Sequence, residues 1–309
     1  MADVGGWSTI ESDEGVFTSL IETLGVKDVQ FEELISIDAD TIRSLGPVYG
    51  VIFLFKWTKE TAGARPEAPL DGTYDPEANV FFAAQTIQNA CGTQAILSII
   101  LNNEQPPSLP PIALGTELST FKEFTSGFPP DILGEALSNS EAIRSAHNSF
   151  ARASPFADET ARPDEPSGDA YHFIAYTNVN GTLYELDGLQ PHPISHGVCG
   201  DFAVQVADVL RRRVERYPEG ETGFNLMAVV KDPRGRAKEI GDAETLEREE
   251  RKRGAWEWEN TLRRWNFVGF IGEMMKGVVA GKEQGGGKEY EAWVEKAKGE
   301  TQKKLERRS

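Results

Sequence analysis

The chain has 309 residues, 39% of them hydrophobic, enough for one large core with a small appendage at most, and its longest apolar run, Val48–Phe55, is far too short to span a bilayer. Two cysteines, Cys91 and Cys199, make neither a disulfide framework nor a metal site, and MADVGGWSTIESDEG lacks the basic start and apolar stretch of a secretory signal, so an intracellular protein without cofactors is expected. The net charge of −17 is uneven: residues 1–232 carry 34 acidic against 14 basic side chains and residues 233–309 carry 15 against 18, so the first part should repel nucleic acid and anionic membrane, favour a basic partner, and end near residue 232.

In chain order, VFTSLIETLG (16–25) has a helical apolar period with a glycine cap after it. VYGVIFLFKW (48–57) follows Pro47 as a continuous β-branched and aromatic run, which predicts a buried central strand. Residues 59–79 read as a loop and NVFFAA (79–84) as a strand. Cys91–Leu101 reads as a helix stopping at Asn102–Asn103, before Pro106–Pro107. Residues 116–137 predict further helix, interrupted around Pro129–Pro130. Residues 151–170 hold three prolines and several acidic side chains, the composition of a long solvated loop. In HFIAYTNVNGTLYELDGL (172–189), Asn180–Gly181 between two strand-like runs is a hairpin signal. PHPISHGV (191–198) reads as a loop, Asp201–Tyr217 as a helix and Phe224–Lys231 as a closing strand. Residues 233–262, rich in Arg, Lys and Glu, predict a charged helix or linker. WNFVGFIGEMMKGVV (265–279) predicts an amphipathic helix whose glycines weaken it, so that it needs a partner surface. A short charged helix follows Gly285–Gly287.

Cys91 alone reads two ways, as a small apolar core residue or as a nucleophile. Its place at the start of a helix favours the second, because unsatisfied N–H groups and the helix dipole stabilise a thiolate there. A base must then be found among four histidines. His192 and His196 lie in the Pro- and Gly-containing loop and read as solvated, and His147 has no evident fixed acceptor. His172 opens the first hairpin strand. If Asn180–Gly181 is a two-residue turn, paired residue numbers sum to 361, and His172 and Asp187 fall on one face as diagonal neighbours. Asp187 can then orient and charge-stabilise the imidazole. Gln85, six residues before Cys91, can point its amide at a developing oxyanion together with the Cys91 N–H. A surface glutamine is the alternative.

These residues also carry a family resemblance. QTIQNACGT, with Gln85, Asn89, Cys91 and Gly92, resembles the active-site signature of the ubiquitin C-terminal hydrolases. His172 in YHFIAY and Asp187 in YELDGL match that family's other two triad positions. The similarity runs from about Glu11 to Val230 and includes PVYGVIFLFKW and SAHNSFAR. It implies a papain-like α/β/α fold, α/β (α+β) in class with a central antiparallel sheet, and a helical C-terminal extension. It further implies a thiol protease that cleaves at the C-terminal glycine of ubiquitin, with Cys91 as nucleophile, His172 as base, Asp187 as its orienter and Gln85 as oxyanion donor. A loop crossing the site and limiting the leaving group is expected at 151–170. RRWNFVGFIGEMMK and WVEKAK resemble the extension of the long, proteasome-associated type, although Trp265, Gly269 and Gly272 depart from that pattern. The resemblance thus implies a catalytic domain over 8–232, a charged linker over 233–262 and a docking extension over 263–309 for a proteasomal ubiquitin receptor, with ubiquitin and ubiquitinated proteins as partners in cytoplasm and nucleus. A catalytically quiet or autoinhibited ubiquitin-binding adaptor and a Cys-His-Asp acyltransferase are the other classes the residues allow.

Overall fold

The computed structural model describes residues 6–57, 68–87, 89–151, 170–217, 223–284 and 287–306. Helix α1 (Glu14–Thr23) begins where the Asp13 carboxylate accepts from the Val16 N–H, and the chain leaves it through Gly25 at φ +94°. Strand β2 (Val48–Trp57) covers the apolar run residue for residue. It lies between β7 (Asn225–Lys231) and β4 (Ala170–Val179), and is buried on both faces, which is why its sequence shows no polar alternation. Gly50 is required there: a Cβ would stand 2.6 Å from the Tyr176 carbonyl oxygen and 2.8 Å from Ile99 Cδ1.

With β1 (Val29–Glu33), β3 (Thr73–Tyr74), β5 (Thr182–Leu186) and β6 (Ile194–Val198), these strands form one seven-stranded sheet in the order β1-β7-β2-β4-β5-β6-β3. Every neighbouring pair is antiparallel. On one face, α1 and α3 (Cys91–Asn102) bury Phe17, Leu20, Ile96 and Ile99 against Tyr49, Ile52 and Ala175. Helices α4 (Gly115–Phe124), α5 (Pro130–Asn139) and α6 (Glu141–Asn148) add Leu118, Leu133, Leu137 and Ile143 to the same layer. On the other face, α2 (Ala39–Ser44) and α7 (Phe202–Val214) cover Val51, Phe53, Ile174 and Tyr176. The architecture is the expected α/β/α sandwich on an antiparallel sheet.

Three segments differ from the sequence reading. NVFFAA forms no strand; its backbone is held group by group, the Phe81 N–H by Asn102 Oδ1 at 2.8 Å and the Ala84 N–H by the Pro130 carbonyl at 2.9 Å. PHPISHGV contains β6, because β5 on one side and β3 on the other satisfy its backbone despite the prolines that precede it. The described part of 59–79 likewise contains β3. Of the long loop read over 151–170, residues 152–169 lie outside the described residues.

The chain divides into two compact units, the first of which runs on through Arg264. It therefore includes α8 (Pro233–Ile240) and α9 (Ala243–Arg263), and one face of the charged helix α9 is packed rather than solvated. Trp256 is buried against Gly15 of α1, where a Cβ would come within 2.6 Å of the indole. Asn260 Nδ2 donates to the Gly15 carbonyl at 3.1 Å and to Ser19 Oγ at 2.9 Å, and Arg263 pairs with Glu11 at 2.9 Å and Asp13 at 2.8 Å. In the second unit, α10 (Val268–Gln284) and α11 (Gly287–Glu306) are helical as read, and Phe270, Ile271, Met274 and Met275 of α10 are exposed. Gly285 and Gly286, which precede α11, lie outside the described residues. No helix among the described residues is long and apolar enough to cross a membrane.

Candidate active site

Cys91 opens α3 for a local reason. Asn89 sits at φ +67°, a left-handed conformation that asparagine tolerates, and its Nδ2 donates to the Trp7 carbonyl at 3.1 Å. That turn swings the chain into the helix at Ala90, which supplies no side-chain cap. The N–H groups of the first turn thus meet no capping side chain, the condition under which a helix start serves an anion. Ile96–Leu101, buried in the core, anchors the rest of α3. Cys91 itself is 9% exposed at this edge.

The hairpin delivers His172. Strands β4 and β5 pair Val179 with Thr182 and Ala175 with Leu186, the register in which partners sum to 361. Asn180 at φ +51° and Gly181 at φ +83° make the two-residue turn that this register demands. His172 and Asp187 therefore share a face and meet: His172 Nε2 donates to Asp187 Oδ1 at 2.6 Å, both side chains 5% exposed. Asp187 also accepts from the Leu189 N–H at 2.9 Å and from Gln190 Nε2 at 3.3 Å.

Burial opposes charge on His172, but Asp187, by charge and hydrogen bond, and then Cys91, by hydrogen bond and charge, push its pKa up to about 9. Burial also works against an ionised Asp187, yet the His172 charge and hydrogen bond, the Leu189 N–H and the Arg213 charge hold its carboxyl below the usual carboxylate range. The two shifts agree on a buried imidazolium–carboxylate pair. With Nε2 committed to Asp187, Nδ1 is the ring nitrogen left for the Cys91 thiol. An imidazolium beside a thiol is the arrangement that yields a thiolate nucleophile.

Gln85 is tied to both halves of this set through its backbone. Its N–H donates to the carbonyl of Gly188, next to Asp187, at 2.8 Å, while Gln94 Nε2 from α3 donates to the Ala83 carbonyl. Two glycines permit the approach: a Cβ on Gly134 would overlap the Ala84 carbonyl, and one on Gly188 would overlap the Gln94 amide. The segment 83–85 is thus locked between α5, the Asp187 turn and the helix that carries Cys91.

Two histidines differ from the sequence reading. His147, expected to have no fixed acceptor, is fully buried: Nε2 donates to the Ser8 carbonyl at 2.6 Å, so Nδ1 accepts from Thr93 Oγ1 at 2.7 Å. Burial pushes its pKa down, in keeping with that neutral tautomer. It braces α3 two residues beyond Cys91. His196, expected to be solvated, has a side chain 1% exposed with Nε2 on Glu185 Oε2 at 3.2 Å. His192 lies edge-on to Tyr74, ring centroids 5.9 Å apart.

A sequence model described as "Ubiquitin carboxyl-terminal hydrolase, family 1" matches residues 7–215, and one described as "Ubiquitin carboxyl-terminal hydrolases" matches residues 240–283. The chain belongs to ubiquitin carboxyl-terminal hydrolase family 1. It is a thiol-dependent deubiquitinase of that family. It is 48% identical over 281 residues to ubiquitin carboxyl-terminal hydrolase 2 of Schizosaccharomyces pombe, covering 88% of this chain and 91% of the relative. It is 47% identical over 234 residues to isozyme L5 of Dictyostelium discoideum, covering 75% of this chain and 64% of the relative. Among solved structures it is similar to the catalytic domain of Trichinella spiralis UCH37 bound to ubiquitin vinyl methyl ester, with a TM-score of 0.60 and 38% identity over 74% of this chain and 96% of that one. The longer Trichinella UCH37, bound to the same adduct, gives a TM-score of 0.63 and 32% identity over 83% of this chain and 99% of that one.

The sequence carries no sign of Gly134, Gly188 or Arg213, and shows His147 without its acceptor. The glycines act through close backbone approach and the other two through partners remote in the chain, so no local spacing marks them. The left-handed turn at Asn89 did leave a signal, an Asn two residues before the helix start.

Proposed function

We propose that Cys91, His172, Asp187 and Gln85 carry the hydrolysis. Cys91, as thiolate, adds to the carbonyl carbon of ubiquitin's C-terminal glycine. The negative charge moves to the carbonyl oxygen, where the Gln85 amide and the Cys91 N–H receive it. Collapse expels the amine, which takes its proton from the His172 imidazolium and leaves a thioester. His172, now neutral, removes a proton from water as the water adds to the thioester. Breakdown expels the thiolate, restoring the thiolate–imidazolium pair, and releases the carboxylate, its proton passing to solvent. Asp187 holds the ring and stabilises its charged form throughout. The observation that carries this reading is the buried His172–Asp187 bond of 2.6 Å with Cys91 acting on the same ring.

Residues 8–232 form the catalytic domain in this reading, α8 and α9 extend it, and the part from residue 263 onward docks on a proteasomal ubiquitin receptor. Supporting the docking role are the match of residues 240–283 to the second family model and the exposed Phe270, Ile271, Met274 and Met275. Ubiquitin's basic C-terminal segment suits the acidic first part of the chain, and we assign the protein to cytoplasm and nucleus.

Labelling with a ubiquitin C-terminal electrophile tests the reading. Wild type should form a covalent adduct, Cys91→Ala should not, and a chain ending at Arg264 should label like wild type while losing receptor capture. Adduct formation by Cys91→Ala would overturn the assignment of the nucleophile.

A further inference from the structure

Glu185, Arg213 and His196 form a buried charge cluster that the reaction above leaves unused. Arg213 NH1 lies 2.6 Å from Glu185 Oε1 and 3.2 Å from the Tyr176 hydroxyl, and His196 Nε2 lies 3.2 Å from Glu185 Oε2. Arg213 Nε and His196 Nδ1 are buried without hydrogen-bond partners. An ion pair buried this deeply adds little net stability over well-packed apolar side chains, because desolvation offsets the attraction. Its placement therefore calls for another account.

The cluster stands directly behind the dyad. Along β5, Leu183 faces the α7 layer; Glu185 has the same parity, and Asp187 keeps it one step past the strand. Glu185 and Asp187 are thus two buried carboxylates about 7 Å apart along the chain. The Arg213 guanidinium, from α7, is the cation whose charge acts on both. It also lies over the Phe55 ring, 5.0 Å from the centroid, and Phe55 meets the His172 ring at 5.6 Å and 89°. One side chain therefore touches the surroundings of both members of the dyad.

We infer that Arg213 is a positioning residue of the catalytic set, acting on Asp187 through its charge and on His172 through the Phe55 ring, with Glu185 setting how much of that charge reaches Asp187. This rests on reading Cys91, His172 and Asp187 as that set. The groups facing Asp187 are His172 from β4, Glu185 from β5, Arg213 from α7 and Tyr74 from β3, with Gln190 and the Leu189 N–H in its own turn. Those facing Glu185 are Arg213 from α7, His196 from β6, Tyr176 from β4, Tyr74 from β3, Asp187 just past β5, and Tyr217.

The pH profile of kcat/KM on a ubiquitin C-terminal amide separates this role from a structural one, because it reports ionisations of the free enzyme. Arg213→Gln removes the cation, so both limbs should move up, by about one pH unit. Arg213→Lys keeps the charge and should leave both limbs in place. Glu185→Gln leaves Arg213 uncompensated, so both limbs should move down. The double variant Arg213→Gln/Glu185→Gln is neutral at both positions and should return the limbs to their wild-type places. Wild-type limbs in all four, with only the melting temperature lowered, would overturn the inference. If Arg213→Gln fails to fold, Glu185→Gln decides alone by whether its limbs move down. Total loss of turnover in Cys91→Ala checks the reading underneath, and the limb positions check Arg213.

Discussion

Replacing Asp187 with Asn removes the charge beside His172 and keeps the shape of the side chain. Asp187 leads the forces that lift His172 from its ordinary 6.5 to about 9 against the pull of burial. The gap of about 2.5 pH units corresponds to roughly 3 kcal/mol of preference for the imidazolium. With both side chains 5% exposed, solvent screens little of that interaction. The alkaline limb of kcat/KM should therefore fall from about 9 to about 6.5 or below, and kcat/KM near pH 7.5 should drop about tenfold or more. Release of a fluorophore from the ubiquitin C-terminus across pH gives both numbers, and NMR titration of ring-labelled histidine follows the imidazole directly. A variant within about fivefold of wild type, its alkaline limb unmoved, would refute the claim that this carboxylate sustains the imidazolium.

Further predictions concern the frame around the dyad. Gly134→Ala drives a Cβ into the Ala84 carbonyl and should lower stability by about 1–3 kcal/mol by thermal melting, with kcat reduced more than KM because Gln85 is displaced. Asn89→Ala forces alanine to φ +67°, whereas Asn89→Gly relieves the strain and loses only the Trp7 bond, so electrophile labelling should rank wild type above Gly above Ala. An Ala variant labelling as fast as the Gly variant would contradict this. The His172 pKa is raised in the fold, so its contribution to stability is complete below about 6.5 and is lost as pH climbs through about 9; that of Asp187, whose carboxyl is depressed, is present above its ordinary range and lost on acidification. The melting temperature of wild type should accordingly decline as pH rises toward 9, and Asp187→Asn should flatten that decline.

The hairpin shows why part of the site was legible in the sequence. A turn of two residues fixes a register by arithmetic, so the shared face of His172 and Asp187 follows from Asn180–Gly181 alone. β2 was equally plain, because burial on both faces leaves an unbroken apolar run. NVFFAA carries a similar run and misleads, since Phe82, Ala83 and Ala84 are buried while the backbone partners are an asparagine side chain and single carbonyls of other segments. His147 was misjudged because its acceptor, the Ser8 carbonyl, lies 139 residues away. The packed face of α9 was hidden for a related reason: one buried indole and a handful of polar side chains meet a remote helix, and the surrounding run of Glu and Arg masks them. Composition reports what a segment can bury, and the partner decides whether it does.

The same hairpin makes length a constraint on the site. Side-chain direction along a strand repeats every two residues, so an insertion or deletion of one residue between His172 and Asp187 would send the carboxylate to the opposite face, whatever the residue's identity. A change of two residues would keep the face and cost only local strain. Across a library of length variants, activity should alternate with the parity of the change, while substitutions at the exposed turn should matter little as long as left-handed geometry survives at positions 180 and 181. In this stretch of the chain, the number of residues decides the geometry of the site before their chemistry can act.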